Sequence, residues 1–321
     1  MESIKVRMKK KAVIISIRSY NLNKHEIEIL RKEKPWGLIL FKRNIKSFVQ
    51  IKNLIKKIKI ISKDSKFPIM IDEEGDTVSR LKNVIDHKLN QKFFGDIYSF
   101  NPKMSLKFYK RYINELCSIF KSIGININTV PVLDVLRKKT HKIIGSRSFS
   151  KDPLIVKKLG KTCVEAYKVN KIATVIKHIP GHGCASSDSH FKTPLVKDNY
   201  RNLKKVDFSP FASSPSYFAM TAHVIYHKID KKNVATFSKK IIKDIIRKRI
   251  NFKGILISDD ISMKALKFDL ITNAKKSLLA GCNLALYCAG NHSDCKKLIK
   301  AMPFVDEFTS KKTSEFYKFL S

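Results

Sequence analysis

Short runs of almost unbroken apolar residues recur along the chain, eight in all: Ala12–Ile17 (AVIISI), Gly37–Phe41 (GLILF), Pro68–Asp72 (PIMID), Ile125–Val130 (ININTV), Ala173–Lys177 (ATVIK), Tyr217–Thr221 (YFAMT), Gly254–Ser258 (GILIS) and Leu284–Cys288 (LALYC). Most do not alternate apolar with polar residues. Strands buried on both faces read this way, and parallel sheets bury both faces. The stretches between them are rich in lysine and repeat apolar residues at spacings of three and four, as in Asn53–Ile61 (NLIKKIKII) and Ser238–Ile250 (SKKIIKDIIRKRI). That is the spacing of a helix with one buried face. Strand followed by helix, repeated, predicts a parallel α/β sheet. Eight such units with no linker favour a closed (β/α)8 barrel of the TIM type over an open, doubly wound sheet. The 321 residues suffice, since such barrels take about 250. Residues 1–321 are therefore expected to form one domain, with a loose or helical tail after about residue 301.

Composition adds two constraints. Apolar residues make up 43% of the chain, enough for a large core, and 65 Lys+Arg stand against 27 Asp+Glu, a net charge of +38. Such a charge attracts anionic polymers. Here the basic residues are scattered rather than clustered, and Lys, Ile and Asn are used throughout, which fits a compositional bias. Nucleic acid is accordingly not an expected partner. Cysteines stand at 117, 163, 184, 282, 288 and 295, with no CxxC pair and no zinc-type spacing. No metal is expected, and a reducing compartment is the simpler setting. The run Ala12–Ile17 is too short for the apolar region of a signal peptide. No segment approaches the ~20 apolar residues of a membrane span. A cytoplasmic protein with no membrane partner is expected.

In a barrel, residues just beyond the C-terminal end of each strand share one pocket. Polar groups collect there. The third run leads into Asp72-Glu73-Glu74-Gly75, with Arg80 soon after. Asp134 and Gly145-Ser146-Arg147-Ser148-Phe149 follow the fourth. The fifth ends in Lys177-His178, with Gly181-His182-Gly183 and Asp188-Ser189-His190 beyond; the sixth leads into Thr221-Ala222-His223, and the seventh ends in Ser258-Asp259-Asp260. Taken singly, a carboxylate after a strand is commonly a helix N-cap, and a loop arginine a solvated charge. Five successive strands ending in ionisable groups are hard to explain by capping alone. Acids, basic groups and histidines together, without metal-type spacing, suit a polyhydroxylated ligand whose hydroxyls both donate and accept.

KHIPGHG followed by DSH resembles the KHFPGHG…DSH signature of glycoside hydrolase family 3, in its β-N-acetylhexosaminidase (NagZ-like) branch. IDEEGDTVSR resembles that family's IDQEGGRVQR, and GLILFKRNI, PVLDV, GSRSFS, MTAHVIY, ATFS, FKGILISDDISMKAL and AGCNLALYC match its other blocks in order, over about residues 35–290. The resemblance implies a (β/α)8 barrel that hydrolyses terminal β-linked N-acetylglucosamine with retention, acting on a small carbohydrate such as a muropeptide from recycled peptidoglycan. No metal or organic cofactor is implied. The nucleophile falls on Asp259, and the acid/base on His190 paired with Asp188. Asp72, Arg80, Arg147, Lys177 and His178 become sugar contacts. His182 reads equally well as structural, and His223 as a packed wall residue. Adjacent strand residues point opposite ways, so only one of Asp259 and Asp260 can face the sugar; the resemblance selects Asp259.

The chain departs from the family at Asp76-Thr77, where Gly-Arg is usual, at Cys184 after GHG, where Asp is usual, and at Asn283, where Asp is frequent. None of these replaces a proposed catalytic residue. Three alternatives stay open on sequence alone: a β-glucosidase or a glycoside phosphorylase of the same broad family, and a non-catalytic basic barrel that binds anionic polymer.

Overall fold

The structure is a computed structural model and describes residues 9–138, 140–141, 144–185 and 193–321. Ten strands occur among the described residues: β1 (Lys11–Ile15), β2 (Pro35–Leu40), β3 (Ile69–Ile71), β4 (Ile127–Asn128), β5 (Ala173–Ile179), β6 (Leu195–Val196), β7 (Phe218–Thr221), β8 (Ile225–Tyr226), β9 (Ile255–Asp260) and β10 (Leu284–Leu286). Eight of them close a parallel barrel in the order β1-β2-β3-β4-β5-β7-β9-β10 and back to β1. Register runs through Leu38↔Ile69, Met70↔Ile127, Val175↔Phe218, Phe218↔Ile255 and Val13↔Ala285. Each barrel strand falls on one of the eight apolar runs. The remaining two, β6 and β8, pair in parallel outside the barrel.

Boundaries differ where the backbone leaves the ladder. The run around β4 was expected to pair through Val130, yet Val130 N–H turns back to the Asn128 carbonyl (2.9 Å) and the ladder breaks there, resuming as a single bridge between Val132 and Lys177. By contrast, β5 and β9 run on to Ile179 and Asp260, carrying His178 and Asp259 within the strands.

The helices are α1 (Lys24–Glu28), α2 (Phe48–Ile61), α3 (Gln91–Phe100), α4 (Pro102–Ile123), α5 (Pro153–Val169), α6 (Tyr200–Val206), α7 (Leu270–Ala280), α8 (His292–Ala301) and α9 (Glu307–Phe319). In α2, Ser47 caps the first turn by accepting from Gln50 N–H, and Ile51, Leu54, Ile55 and Ile58 form the buried stripe. The segment Ile241–Arg249 is also helical, but with wide turns: Ile250 N–H reaches the carbonyl five residues back, at Ile245 (2.7 Å). Its Ile241, Ile242, Ile245 and Ile246 are buried, the face that the 238–250 pattern predicts.

One core layer lies between strands and helices. A second fills the barrel's interior with Ile14, Trp36, Met70, Val175, Phe218 and Ile257 and continues onto α9 through Phe316. Trp36 is fully buried, its ring set edge-on to Phe218 at 5.5 Å, and Phe218 meets Phe316 at 5.3 Å. The one polar atom of the indole is satisfied, since Nε1–H donates to Thr313 Oγ1 (2.9 Å). The tail after residue 301 thus carries α9, packed beneath the N-terminal mouth and sealing it. The C-terminal mouth holds the polar groups. Among the described residues, no helix is long and apolar enough to cross a membrane.

Candidate active site

A cavity of about 230 Å³ opens at the C-terminal mouth, lined by residues that include Phe41, Asp72, Arg80, Thr129, Arg147, Lys177, His178, His182 and Asp259. All five expected sugar contacts and the expected nucleophile therefore share one space. His190 and Asp188 lie outside the described residues.

The floor is a network of opposite charges. Lys177 Nζ stands 2.5 Å from Asp72 Oδ1, 2.5 Å from Glu74 Oε1 and 2.9 Å from Thr129 Oγ1. Thr129 Oγ1–H donates to Asp72 Oδ1 (2.5 Å), and Arg80 donates to Asp72 Oδ2 (2.5 Å). Arg147 forks onto Glu74, Nε to Oε2 at 2.6 Å and Nη2 to Oε1 at 2.9 Å. Buried charge is costly unless paired and hydrogen-bonded, and here each one has a partner. Burial works against the Asp72 carboxylate, but Lys177 and Arg80 outweigh it and hold its pKa well below the usual range. Burial likewise disfavours the Arg147 guanidinium, and Glu74 reverses the effect.

The register between β5 and β7 slips between Lys177 and Ile179, and both Lys177 and His178 line the cavity. His178 Nδ1 is 2.7 Å from Asp134 Oδ2, while the other oxygen of Asp134 accepts the His182 N–H (2.6 Å). Asp134 thus clamps both ends of the turn after β5. His182 also lines the cavity; burial lowers its pKa to about 4, so it is neutral at physiological pH, and its Nδ1 is buried without a hydrogen-bond partner among the described residues.

Asp259 and Asp260 separate as strand alternation requires. Asp259 lines the cavity, and its Oδ1 accepts the Asp260 N–H (2.8 Å). Asp260 turns away to accept from Ser262 N–H and Oγ–H and from Cys288 N–H. Burial works against the Asp259 anion, yet its pKa lies below the ordinary value because His223, His178, the Asp260 N–H and Lys177 favour the charge. His223 is itself pushed toward neutrality by burial. His223 Nε2–H donates to the Asp260 carbonyl (3.0 Å), and Nδ1 meets Thr236 Oγ1 (2.7 Å). It braces the strand end beneath Asp259.

Glu74 was not singled out from the sequence. Its neighbours in an acidic triplet hide it, but the triplet alternates: Asp72 and Glu74 face the cations, and Glu73 faces the other way. Thr129 and Phe41 were missed as well, being chemically unremarked inside apolar runs. Among the described residues no group of His, Cys, Asp and Glu is placed to hold a metal.

A closed (β/α)8 barrel with an ionised carboxylate and a hydrogen-bonding network in one cavity at its C-terminal mouth defines a barrel enzyme built for a polar, hydroxyl-rich substrate. The chain belongs to glycoside hydrolase family 3: the glycosyl hydrolase family 3 N terminal domain matches residues 3–309. Relatives named beta-hexosaminidase include one from Nitrosomonas eutropha, 34% identical over 78% of this chain and 73% of its own length, and one from Hydrogenovibrio crunogenus, 32% identical over 86% and 78%. Among solved structures, NagZ from Neisseria gonorrhoeae in complex with N-trifluoroacetyl-D-glucosamine superposes with a TM-score of 0.87 at 26% identity, covering 98% of this chain and 91% of that one. A family 3 beta-N-acetylglucosaminidase from Paenibacillus shares the fold with a TM-score of 0.88 at 22% identity; this chain spans 62% of that longer one.

Proposed function

We propose that this chain is a cytoplasmic, retaining exo-β-N-acetylglucosaminidase, working as a single catalytic domain on small peptidoglycan-recycling fragments. The observation that carries the reading is the placement of Asp259, ionised, in the same cavity as the Asp72–Lys177–Arg80 and Glu74–Arg147 network. The β-hexosaminidase names of the relatives and the N-acetylated sugar analogue held by the Neisseria enzyme support the acetamido specificity. Six free cysteines fit a reducing compartment.

The network would hold the sugar hydroxyls, with the planar Arg80 and Arg147 and the Lys177 ammonium donating and the Asp72 carboxylate accepting. Asp259 would attack the anomeric carbon, displacing the leaving oxygen and forming a covalent glycosyl-enzyme that water then opens. Retention also needs a group that gives a proton to the leaving oxygen and later takes one from water. His190 fills that part, with Asp188 fixing its tautomer: an imidazole titrates near neutrality and, when neutral, sets no second anion against Asp259.

A panel of aryl β-glycosides with and without the 2-acetamido group tests the activity. Hydrolysis confined to acetamido sugars, with the β-anomer released first, is expected. Turnover of plain glucosides, or a sugar phosphate as product, overturns it. For the dyad, His190→Ala should slow substrates with poor leaving groups roughly 10²- to 10⁴-fold, the usual share of general acid catalysis, and activated aryl substrates far less. Equal losses on both would remove His190 as the proton donor.

A further inference from the structure

Glu73 is a buried acid that the chemistry above leaves unused. It follows Asp72 at the end of β3, and its side chain is wholly enclosed. Oε2 accepts two consecutive backbone N–H groups, Arg80 (2.7 Å) and Leu81 (2.9 Å), while Oε1 lies 2.9 Å from His87 Nε2. Its main chain is pinned to the barrel wall: Glu73 N–H donates to Asn128 Oδ1 (3.0 Å), and Asn128 Nδ2–H donates to the Glu73 carbonyl (2.9 Å). His87 is braced from α4, where the Tyr112 hydroxyl lies 3.3 Å from its Nδ1. A rigid strand thus reaches through one carboxylate to the backbone of a loop residue whose guanidinium enters the cavity.

Arg80 needs that hold. Its guanidinium bonds Asp72 and lies over the Phe41 ring at 5.1 Å, but its Nε is buried without a hydrogen-bond partner among the described residues. A long side chain anchored at its tip stays in register only if its Cα is fixed. A misplacement of about 1 Å costs a binding or catalytic contact dearly. We propose that Glu73, itself held by His87, is a positioning residue that sets the main chain of Arg80 so that its guanidinium meets the bound sugar. The inference rests on Arg80 being a sugar contact, as argued under the proposed function.

A double-mutant cycle on 4-nitrophenyl N-acetyl-β-D-glucosaminide separates positioning from general support of the fold. Glu73→Ala should raise KM roughly tenfold, the scale of two buried N–H groups losing a charged acceptor, with kcat changing less. Arg80→Ala should raise KM by at least as much, and the double variant should be no worse than Arg80→Ala alone. Glu73→Gln should recover most of the loss, because an amide oxygen still accepts both N–H groups and its NH₂ can donate to a neutral His87. The milder His87→Gln, which spares the carboxylate, should show a smaller rise in KM that also vanishes in the Arg80→Ala background, and it serves if Glu73→Ala does not fold. Equal cost of Glu73→Ala, or of His87→Gln, with and without Arg80 would overturn the proposal alone and leave the sugar assignment standing. An unchanged KM in Arg80→Ala would remove Arg80 from the sugar site and the proposal with it, while wild-type turnover still tests the activity.

Discussion

The two mouths of this barrel are built from the same strands and obey opposite rules. At the N-terminal mouth, Trp36, Phe218 and Phe316 interlock, and the one polar atom in the group donates to Thr313. At the C-terminal mouth, Lys177, Arg80 and Arg147 are set among Asp72 and Glu74, with Asp259 beside them. Apolar burial contributes stability in proportion to the area removed from water. A buried charge network contributes little net stability, because desolvation offsets the attraction. The lower mouth is what that rule selects for holding a barrel shut, and the upper mouth makes sense only as a place where charge is needed. Function and stability are thus separable by position along a strand.

The sharpest way to break this separation is at Asp259. Asp259→Asn is expected to lower turnover of an aryl N-acetylglucosaminide by roughly 10⁴-fold or more, the scale seen when a nucleophile is removed. Its thermal midpoint should stay within about 4 °C of wild type, since an amide can still accept the Asp260 N–H. Substantial residual turnover would show that another group attacks the sugar.

The opposite experiment is Phe316→Ala. Removing a wholly buried ring that touches Trp36 and Phe218 should cost about 3–5 kcal/mol in urea unfolding, through lost burial and the cavity left behind. KM on the same substrate should not move, because the sealed mouth lies at the far end of the strands. A KM shift as large as that of Arg80→Ala, with little loss of stability, would mean that the two mouths are coupled and the division is wrong.

The same division governs how much could be read from sequence. Burial on both faces leaves a continuous apolar run, so all eight barrel strands were legible, and α2 was legible from its 3–4 spacing. The strand-end groups Asp72, Lys177, His178 and Asp259 were legible too, since a barrel gathers whatever follows its strands. What could not be read was who bonds whom. Glu73 and Glu74 are adjacent and chemically alike, yet one braces a loop backbone and the other faces Lys177 and Arg147. That choice is made by the path of residues 75–90, where Asp76 N–H closes onto the Leu89 carbonyl (3.0 Å), and no periodicity encodes it. The wide turns at 241–249 escaped for a related reason: the same isoleucine spacing serves either helix geometry.

The smallest expected effect is also the finest test of the charged mouth. The hydrogen bond that His87 donates to Glu73 raises the pKa of His87 above its ordinary 6.5; burial opposes the shift, and the Leu89 backbone and the Asp76 charge add to it. The charged groups facing the ring are Glu73 and Asp76, and the Tyr112 hydroxyl approaches from α4 without carrying charge near neutrality. The sign follows from the direction. A histidine whose folded pKa exceeds its unfolded one stabilises fully below about pH 6.5, and that stability fades as pH rises through the raised value. The ring keeps some contact with water, so the contribution should be less than about 1 kcal/mol. Urea unfolding of wild type and Glu73→Gln at pH 6 and pH 9 isolates it, because groups elsewhere titrate alike in both proteins. The wild-type advantage should be larger at pH 6 and shrink by pH 9. At the apolar mouth, the Phe316→Ala deficit should be the same at both values. An advantage of Glu73 over Gln that did not change with pH would mean that His87 meets Glu73 as a neutral imidazole at both values, and that no proton uptake by the ring supports this mouth.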